Sequence, residues 1–306
     1  MVYHLYTIYL FARSDFKTIV VPSTLFGVIN SLATRAYGLD DSSPITFSLL
    51  LSRLTQSLFW VCLVFIPFAI NNQRNPSAIA EDKINKPWRP LPQNRLSPFQ
   101  AKCIMYFLAA LVPIHGYVCN GIGFRQSLFL RALDIWYNNI GGGDNSPILR
   151  NLINALGYLC FTTGALEIAL GKQLRFTLEA VSSYSGAENH LIQWLLVIAG
   201  IIFTTVHLQD LYDQVGDAAR DRRTIPLVIG DGPTRWTIAI PMLVWGVICP
   251  RFWGLAGGLL SLSIGLAYTV ALRVLLVRGG QSDRMTFRLW NCWISTIYVM
   301  PLFVQE

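Results

Sequence analysis

The sequence predicts an all-α, polytopic membrane protein of about nine transmembrane helices, organised as one domain over residues 1–306. Three observations carry this. Hydrophobic residues fill 53% of the chain and charged residues only 13%, about half the charge of a soluble domain. The mean hydropathy of +0.45 is concentrated in stretches of roughly 20 residues, the length that crosses a bilayer as a helix. The charged residues fall between those stretches rather than along polar faces of amphipathic helices. A soluble enzyme is thereby excluded. So is a nucleic-acid binder: the net charge of +7 is dispersed by apolar segments and forms no basic stripe.

The first apolar stretch, 18–37, follows Ser14-Asp15-Phe16-Lys17-Thr18, and the second covers 45–70. After a polar segment, 71–99, come stretches at 100–119 and 122–140; Arg131 and Asp134 interrupt the latter. The fifth, 148–170, opens on Arg150-Asn151-Leu152-Ile153-Asn154, and the sixth, 191–209, runs into a second polar segment, 210–236. Stretches at 237–252, bracketed by Pro241 and Pro250, then 254–277 and 287–304 complete the set. The start of the chain has no basic region ahead of its apolar residues and reads as lacking a cleaved signal peptide. Six cysteines without C-x-x-C spacing read as reduced packing residues. Gly141-Gly142-Gly143 reads as a flexible turn, since no phosphate-binding Lys follows.

Arg13, Lys17, Lys83, Lys86, Arg89, Arg95, Arg220, Arg222, Arg223, Arg278, Arg284 and Arg288 sort to the side of the N-terminus, leaving Arg35, Arg125, Lys172, Arg175 and Arg251 opposite. The positive-inside rule then places the N-terminus and both polar segments in the cytosol. Each segment follows a span and carries acids, basic residues and a proline (Pro90 and Pro226), about 135 residues apart. This is the pattern of an internal repeat with halves near 18–140 and 148–277 that builds one site at its interface.

The chemistry lies in those segments. Asp210, Asp213 and Asp217 are spaced i, i+3, i+7, so a continuing helix presents them on one face. Crowded carboxylates stay ionised only with cations nearby. Hard oxygens without His or Cys partners suit Mg²⁺ bridging to phosphate, and Arg220, Asp221, Arg222 and Arg223 follow at once. A merely solvated helix end does not explain that grouping. In the first segment, Glu81 and Asp82 are candidates for a second metal site, with Asn72 or Asn75 adding a neutral oxygen. Lys83, Lys86 and Arg89 are candidates to neutralise phosphate, as is Lys17 at the edge of the first span. His207 reads as a packing histidine in preference to a proton acceptor, and His115 and His190 are too isolated to be ligands.

These residues resemble the UbiA superfamily of intramembrane prenyltransferases. Its D-x-x-N-x-P-x-R-P motif is matched by Asp82-Lys83-Ile84-Asn85-Lys86-Pro87-Trp88-Arg89-Pro90, and its D-x-x-D-x-x-x-D motif with trailing T-[LI]-P by Asp210, Asp213, Asp217 and Thr224-Ile225-Pro226. The first motif departs from the family pattern: only Asp82 carries over directly, Asn72 after a two-residue insertion, with Glu81 compensating for a missing acid. Asp221 replaces the glycine usual in the second motif's tail. The N-K-P-W-R-P variant looks most like a fungal subgroup that includes sesquiterpene cyclases. The resemblance implies helices around a central cavity under a cytosolic cap, an endoplasmic-reticulum membrane, and Mg²⁺ held by Asn72, Glu81, Asp82, Asp210, Asp213 and Asp217.

It also implies the reaction. An isoprenoid diphosphate, farnesyl diphosphate for the favoured reading, is ionised, with Lys83, Lys86, Arg89, Arg222 and Lys17 on the diphosphate. Aromatic faces then stabilise the allylic cation; Tyr158, Phe161, Phe203 and Tyr212 are the candidates by position. A cyclase closes the cation on itself and is favoured here; a prenyltransferase passes it to an aromatic or other acceptor. A cation or metabolite transporter is the alternative from another class, disfavoured because its acids belong at mid-membrane.

Overall fold

The computed structural model describes residues 2–39, 46–174 and 187–304, and every regular element among them is helical. Helix α1 (Val2–Ala12) precedes a π-helical turn, Phe16–Val20, that runs into α2 (Val21–Asn30). There follow α3 (Phe47–Gln73), α4 (Pro76–Asn85), α5 (Pro98–Val118), α6 (Phe124–Asn138) and α7 (Pro147–Leu170). Then come α8 (Ala187–Thr205), a 3-10 turn (Val206–Gln209), α9 (Asp210–Ala219), α10 (Ile225–Ile229), α11 (Asp231–Phe252), α12 (Gly257–Leu276) and α13 (Gly280–Val299). Arg175, assigned above to the far side, lies outside the described residues.

Each of the nine apolar stretches holds a helix, but among the described residues five runs are long and apolar enough to cross a membrane: Phe47–Gln73, Pro98–Val118, Pro147–Leu170, His190–Ala219 and Gly257–Leu276. Phe16–Asn30 is apolar but shorter. Helices α6, α11 and α13 are diluted by charge: Arg125, Arg131 and Asp134; Asp231, Arg235 and Arg251; Asp283, Arg284 and Arg288. Three of these groups, Asp134, Arg235 and Asp283, are turned inward. Asp134 accepts from Asn71 and Asn138 (both 2.8 Å) and from Arg131, while Arg235 clasps Asp283 at 2.9 Å, tying α11 to α13.

Local signals set the boundaries. Thr46, Ser97 and Ser146 accept from backbone amides at the starts of α3, α5 and α7, and Ser97 with Gln100 forms a full capping box. Two expectations need correction. Neither 71–99 nor 210–236 is simply a loop: Pro76 at the start of α4 and the acids of α9's first turn favour short helices there. The Val2–Ala12 helix was also not anticipated, because its tyrosine-rich stretch is too short to read as a span.

Helix α7 is central, packing on α2, α3, α6 and α8. Its crossing with α2 is close: a Cβ at Gly27 would lie 2.5 Å from the Ala165 carbonyl, the small-residue approach by which membrane helices gain packing. On one side of it lies a core around Trp194, Met242, Trp290 and Trp293, and on the other one around Phe11, Trp60, Phe65 and Met105.

Candidate active site

Helices α4 and α9 bring the two motifs together. The 3-10 turn at Val206–Gln209 restarts the helix at Asp210, and all three motif acids of α9 are buried. Asn85, at the end of α4, donates to the Asp213 carbonyl at 2.9 Å. Opposite it, Gly216 leaves no room for a side chain, since a Cβ there would stand 2.2 Å from Asn85 Nδ2. Glycine thus sets the spacing between the motifs.

Four aspartates share one arrangement. Arg89 Nη1 holds Asp82 Oδ1 at 2.7 Å, Arg150 Nη2 holds Asp210 Oδ1 at 3.0 Å, Lys86 Nζ holds Asp213 Oδ2 at 2.7 Å and Arg222 Nη1 holds Asp217 Oδ1 at 3.2 Å. The second oxygen of each, Asp82 Oδ2, Asp210 Oδ2, Asp213 Oδ1 and Asp217 Oδ2, is buried without a hydrogen-bond partner among the described residues. A buried acceptor left so costs about 1–3 kcal/mol, more when charged. Four such oxygens on two facing helices are a donor set of the hard, anionic kind that Mg²⁺ takes. Among the described residues no three His, Cys, Asp or Glu side chains are close enough to enclose a metal ion by themselves.

Lys86, Arg89, Arg150, Arg220 and Arg222 line a cavity of about 800 Å³ beside these acids, with Asp15, Glu81 and Asp213 the acids in its wall. Cations therefore outnumber acids at its surface, which favours an anionic guest. Ile19, Phe68, Ala69, Tyr158 and Val206 supply its apolar part, so one cavity joins charged and apolar lining.

Glu81 differs from the aspartates in having both oxygens held. Its Oε1 accepts from Arg222 and its Oε2 from Arg220, each at 3.0 Å, so it fixes two arginines in place. Burial alone would raise its pKa, but Arg222, Lys86 and Arg220 outweigh burial and hold it at about 2. At Asp82 burial prevails over the attraction of Arg89 and Lys86, and its pKa is raised. At Lys86 burial is the largest single influence and lowers the pKa, but Asp213, Glu81 and Asp82 together outweigh it, and the pKa is raised.

Other expected residues divide. Asn72 lines the cavity, 3.5 Å from Arg222 Nη2. Lys83 is exposed and does not line it, because α4 turns that position to the surface. Lys17 and Tyr212 line a neighbouring cavity instead. Of the aromatic candidates Tyr158 lines the first cavity, whereas Phe161 packs on Phe65 with ring centres 6.1 Å apart and Phe203 is 37% exposed. His207 is a packing residue, 3.1 Å from Asn151 and 3.0 Å from Thr237.

Sequence reasoning missed Asp144 and Arg150. Asp144 receives Arg222 Nε at 2.8 Å and Arg220 Nη2 at 3.1 Å. It follows the three-glycine turn, whose Gly143 carbonyl accepts from Arg150 at 3.1 Å and whose Cα packs on the Tyr137 ring. An acid ending a glycine run was the available signal. Asp221, standing in place of the family's glycine, has φ +57, a left-handed conformation that Asp tolerates better than most residues.

The model of the UbiA prenyltransferase family matches residues 58–293. The fumagillin beta-trans-bergamotene synthase of Aspergillus fumigatus is 29% identical over 97% of this chain and 92% of its own length. The somaliensene A/B synthase of Streptomyces somaliensis is 25% identical over 96% and 91%. A UbiA homolog from Archaeoglobus fulgidus, solved bound to GPP and Mg²⁺, shares the fold with a TM-score of 0.58 at 11% identity, over 96% of this chain and 99% of that one.

Proposed function

The chain belongs to the UbiA prenyltransferase family of membrane enzymes, and from that premise we propose that it ionises an isoprenoid diphosphate, farnesyl diphosphate in the favoured case, and closes the resulting cation as a terpene cyclase. The observation that carries this is the set of half-pinned aspartates beside a cavity whose lining joins an excess of cations to apolar side chains. Asp82, with Asn72 beside it, and Asp210, Asp213 and Asp217 would hold Mg²⁺, which when bound supplies positive charge to the diphosphate oxygens.

The protein's own groups do the rest. Arg89, Arg150, Arg220, Arg222 and Lys86 receive the diphosphate in forked, charge-assisted contacts and stabilise the charge it gains as the allylic C–O bond breaks and its electron pair leaves with the oxygen. Glu81 and Asp144 hold Arg220 and Arg222 in place before substrate arrives, so little reorganisation is needed. The carbocation is left against Phe68, Tyr137 and Tyr158, whose ring faces lower its energy by about 1–2 kcal/mol each when desolvated. There the prenyl tail's own double bonds attack it, and a proton then passes from carbon to the released diphosphate, leaving a neutral hydrocarbon.

One observation favours transfer to an acceptor. Asn154 Nδ2 and Tyr158 Oη, one turn apart on α7, line the cavity and are buried without partners; a polar acceptor would satisfy both. The lysines and arginines around the motif helices favour the cytosolic side of an endoplasmic-reticulum membrane for them; nine helical stretches cross it on this reading, and five runs among the described residues are long and apolar enough to do so.

The test is to incubate purified protein in detergent with farnesyl diphosphate and Mg²⁺, without acceptor, and analyse the products. A cyclic hydrocarbon supports the cyclase. No consumption until an aromatic or other acceptor is added supports the transferase, and consumption under neither condition refutes both.

A further inference from the structure

A second cavity of about 880 Å³ lies on the other side of the Lys86–Asp213 pair, both of whose members line it as well as the first. Its charge is one-sided. Arg13 and Lys17, four residues apart at the entry to the first helical run, face Arg284 and Arg288, four apart on α13, across the same space. The acid in its lining is Asp213, and one of that residue's oxygens is already taken by Lys86 at 2.7 Å. Arg13 lies over the Trp88 ring, 5.4 Å from its centre, and Arg284 over Tyr212 at 5.5 Å. Arg284 Nη2 makes one long contact, 3.5 Å, to the Asn85 carbonyl.

Two further groups in the lining point to a guest. Ser14 Oγ and Trp88 Nε1 are buried and have no hydrogen-bond partner. An indole N–H only donates and a hydroxyl can, so both lack an acceptor in a place where four exposed cations make no ion pair among the described residues, Lys17 having only the field of Asp15 nearby. Like charges gathered in a concave site repel one another and focus a field that draws in anions. Guanidinium groups and N–H and O–H donors together match a phosphate oxyanion.

We propose that this basin is a second anion site, which takes a phosphate-type oxyanion and, on the function proposed above, receives the diphosphate released in the first cavity. Lys86 touches both spaces and so links them. A second source offers the same chemistry, the phosphate head of an anionic lipid at the membrane surface.

The experiment uses the purified full-length chain in neutral detergent and titrates it, in EDTA, with inorganic diphosphate and separately with dihexanoyl phosphatidic acid. The Arg284→Gln/Arg288→Gln double variant should bind the preferred probe at least tenfold more weakly than wild type. Its kcat/KM for farnesyl diphosphate should stay within twofold while product inhibition by inorganic diphosphate weakens at least tenfold. Preference for diphosphate identifies the leaving group as the source, and preference for the phosphatidate identifies the lipid. Wild-type binding lost in the variant, with no turnover in either protein, supports the basin and refutes the proposed reaction. Unchanged binding of both probes overturns the proposal, and so does a fall in kcat/KM in step with binding, which would merge these arginines into the substrate site. Arg288→Lys, which keeps the charge, separates loss of a cation from loss of fold: its binding should recover most of the wild-type value.

Discussion

Replacing Gly216 by alanine tests whether the spacing of α4 and α9 sets activity. The added Cβ would stand 2.2 Å from Asn85 Nδ2 and 2.4 Å from its Cγ, where ordinary contact begins at 3.4 Å. To make room the helices part by about 1 Å, and Asn85 gives up its 2.9 Å bond to the Asp213 carbonyl. Overpacking costs about 1–3 kcal/mol, and stranding a buried amide about 1–3 kcal/mol more. Alanine's better helix propensity returns about 1 kcal/mol, leaving a net loss of about 3 kcal/mol in mid-range. A 1 Å misplacement of a catalytic pair lowers rate by about 100-fold. The assay is inorganic diphosphate release from farnesyl diphosphate together with thermal unfolding in detergent. Gly265→Ala, with open space around its Cβ, serves as control. The double variant with Asn85→Ala completes the cycle: if the clash is with Asn85, the two losses are less than additive by about 1–3 kcal/mol. Additive losses, or wild-type turnover in Gly216→Ala, would refute the reasoning.

Other consequences follow from the same geometry. Glu81, held at about 2 against an ordinary 4.5, has a depressed folded pKa. Its contribution, of order 3 kcal/mol, is therefore present above about pH 4.5 and lost as pH falls toward 2; in Glu81→Gln the acid limb of a detergent unfolding profile should flatten. Asp144→Asn loosens Arg220 and Arg222 without touching the aspartates, so KM for the prenyl diphosphate should rise about tenfold while Mg²⁺ dependence is unchanged, as initial-rate kinetics would show. Arg150→Gln leaves Asp210 buried without its cation, and kcat should fall by about 100-fold; an effect confined to KM would place Arg150 in binding alone. Asp221→Gly relieves a left-handed residue and should raise the melting temperature slightly with activity intact.

Legibility in the sequence followed the range of the interactions. Hydropathy located nine helices, because a contiguous apolar run is a local signal, though only five runs among the described residues are long and apolar enough to cross a membrane, and the i, i+3, i+7 spacing placed Asp210, Asp213 and Asp217 on one helix. It could not tell Asp82 from Glu81. The two are adjacent and alike in chemistry, and what separates them is that Arg220 and Arg222, some 140 residues further on, occupy both oxygens of Glu81. Asp144 and Arg150 lie outside both motifs and reach the site only through the packing of α6, α7 and the glycine turn between them. Phe203 and Phe161 were chosen for proximity along the chain, but a helix has several faces, and theirs point to the surface and to Phe65. The first polar segment concealed α4 because that helix is held by α9 more than by apolar periodicity.

The central claim is that α4 and α9 form one metal-dependent site for ionising a prenyl diphosphate. Its most direct measurement is the rate of inorganic diphosphate release from farnesyl diphosphate by purified wild type, Asp82→Asn and Asp213→Asn, each with Mg²⁺ and with EDTA. The account predicts release by wild type in Mg²⁺, its arrest on chelation, and at least a 100-fold loss in either variant while both remain folded. Release that persists in EDTA, or a folded variant of either motif that turns over at the wild-type rate, would contradict it.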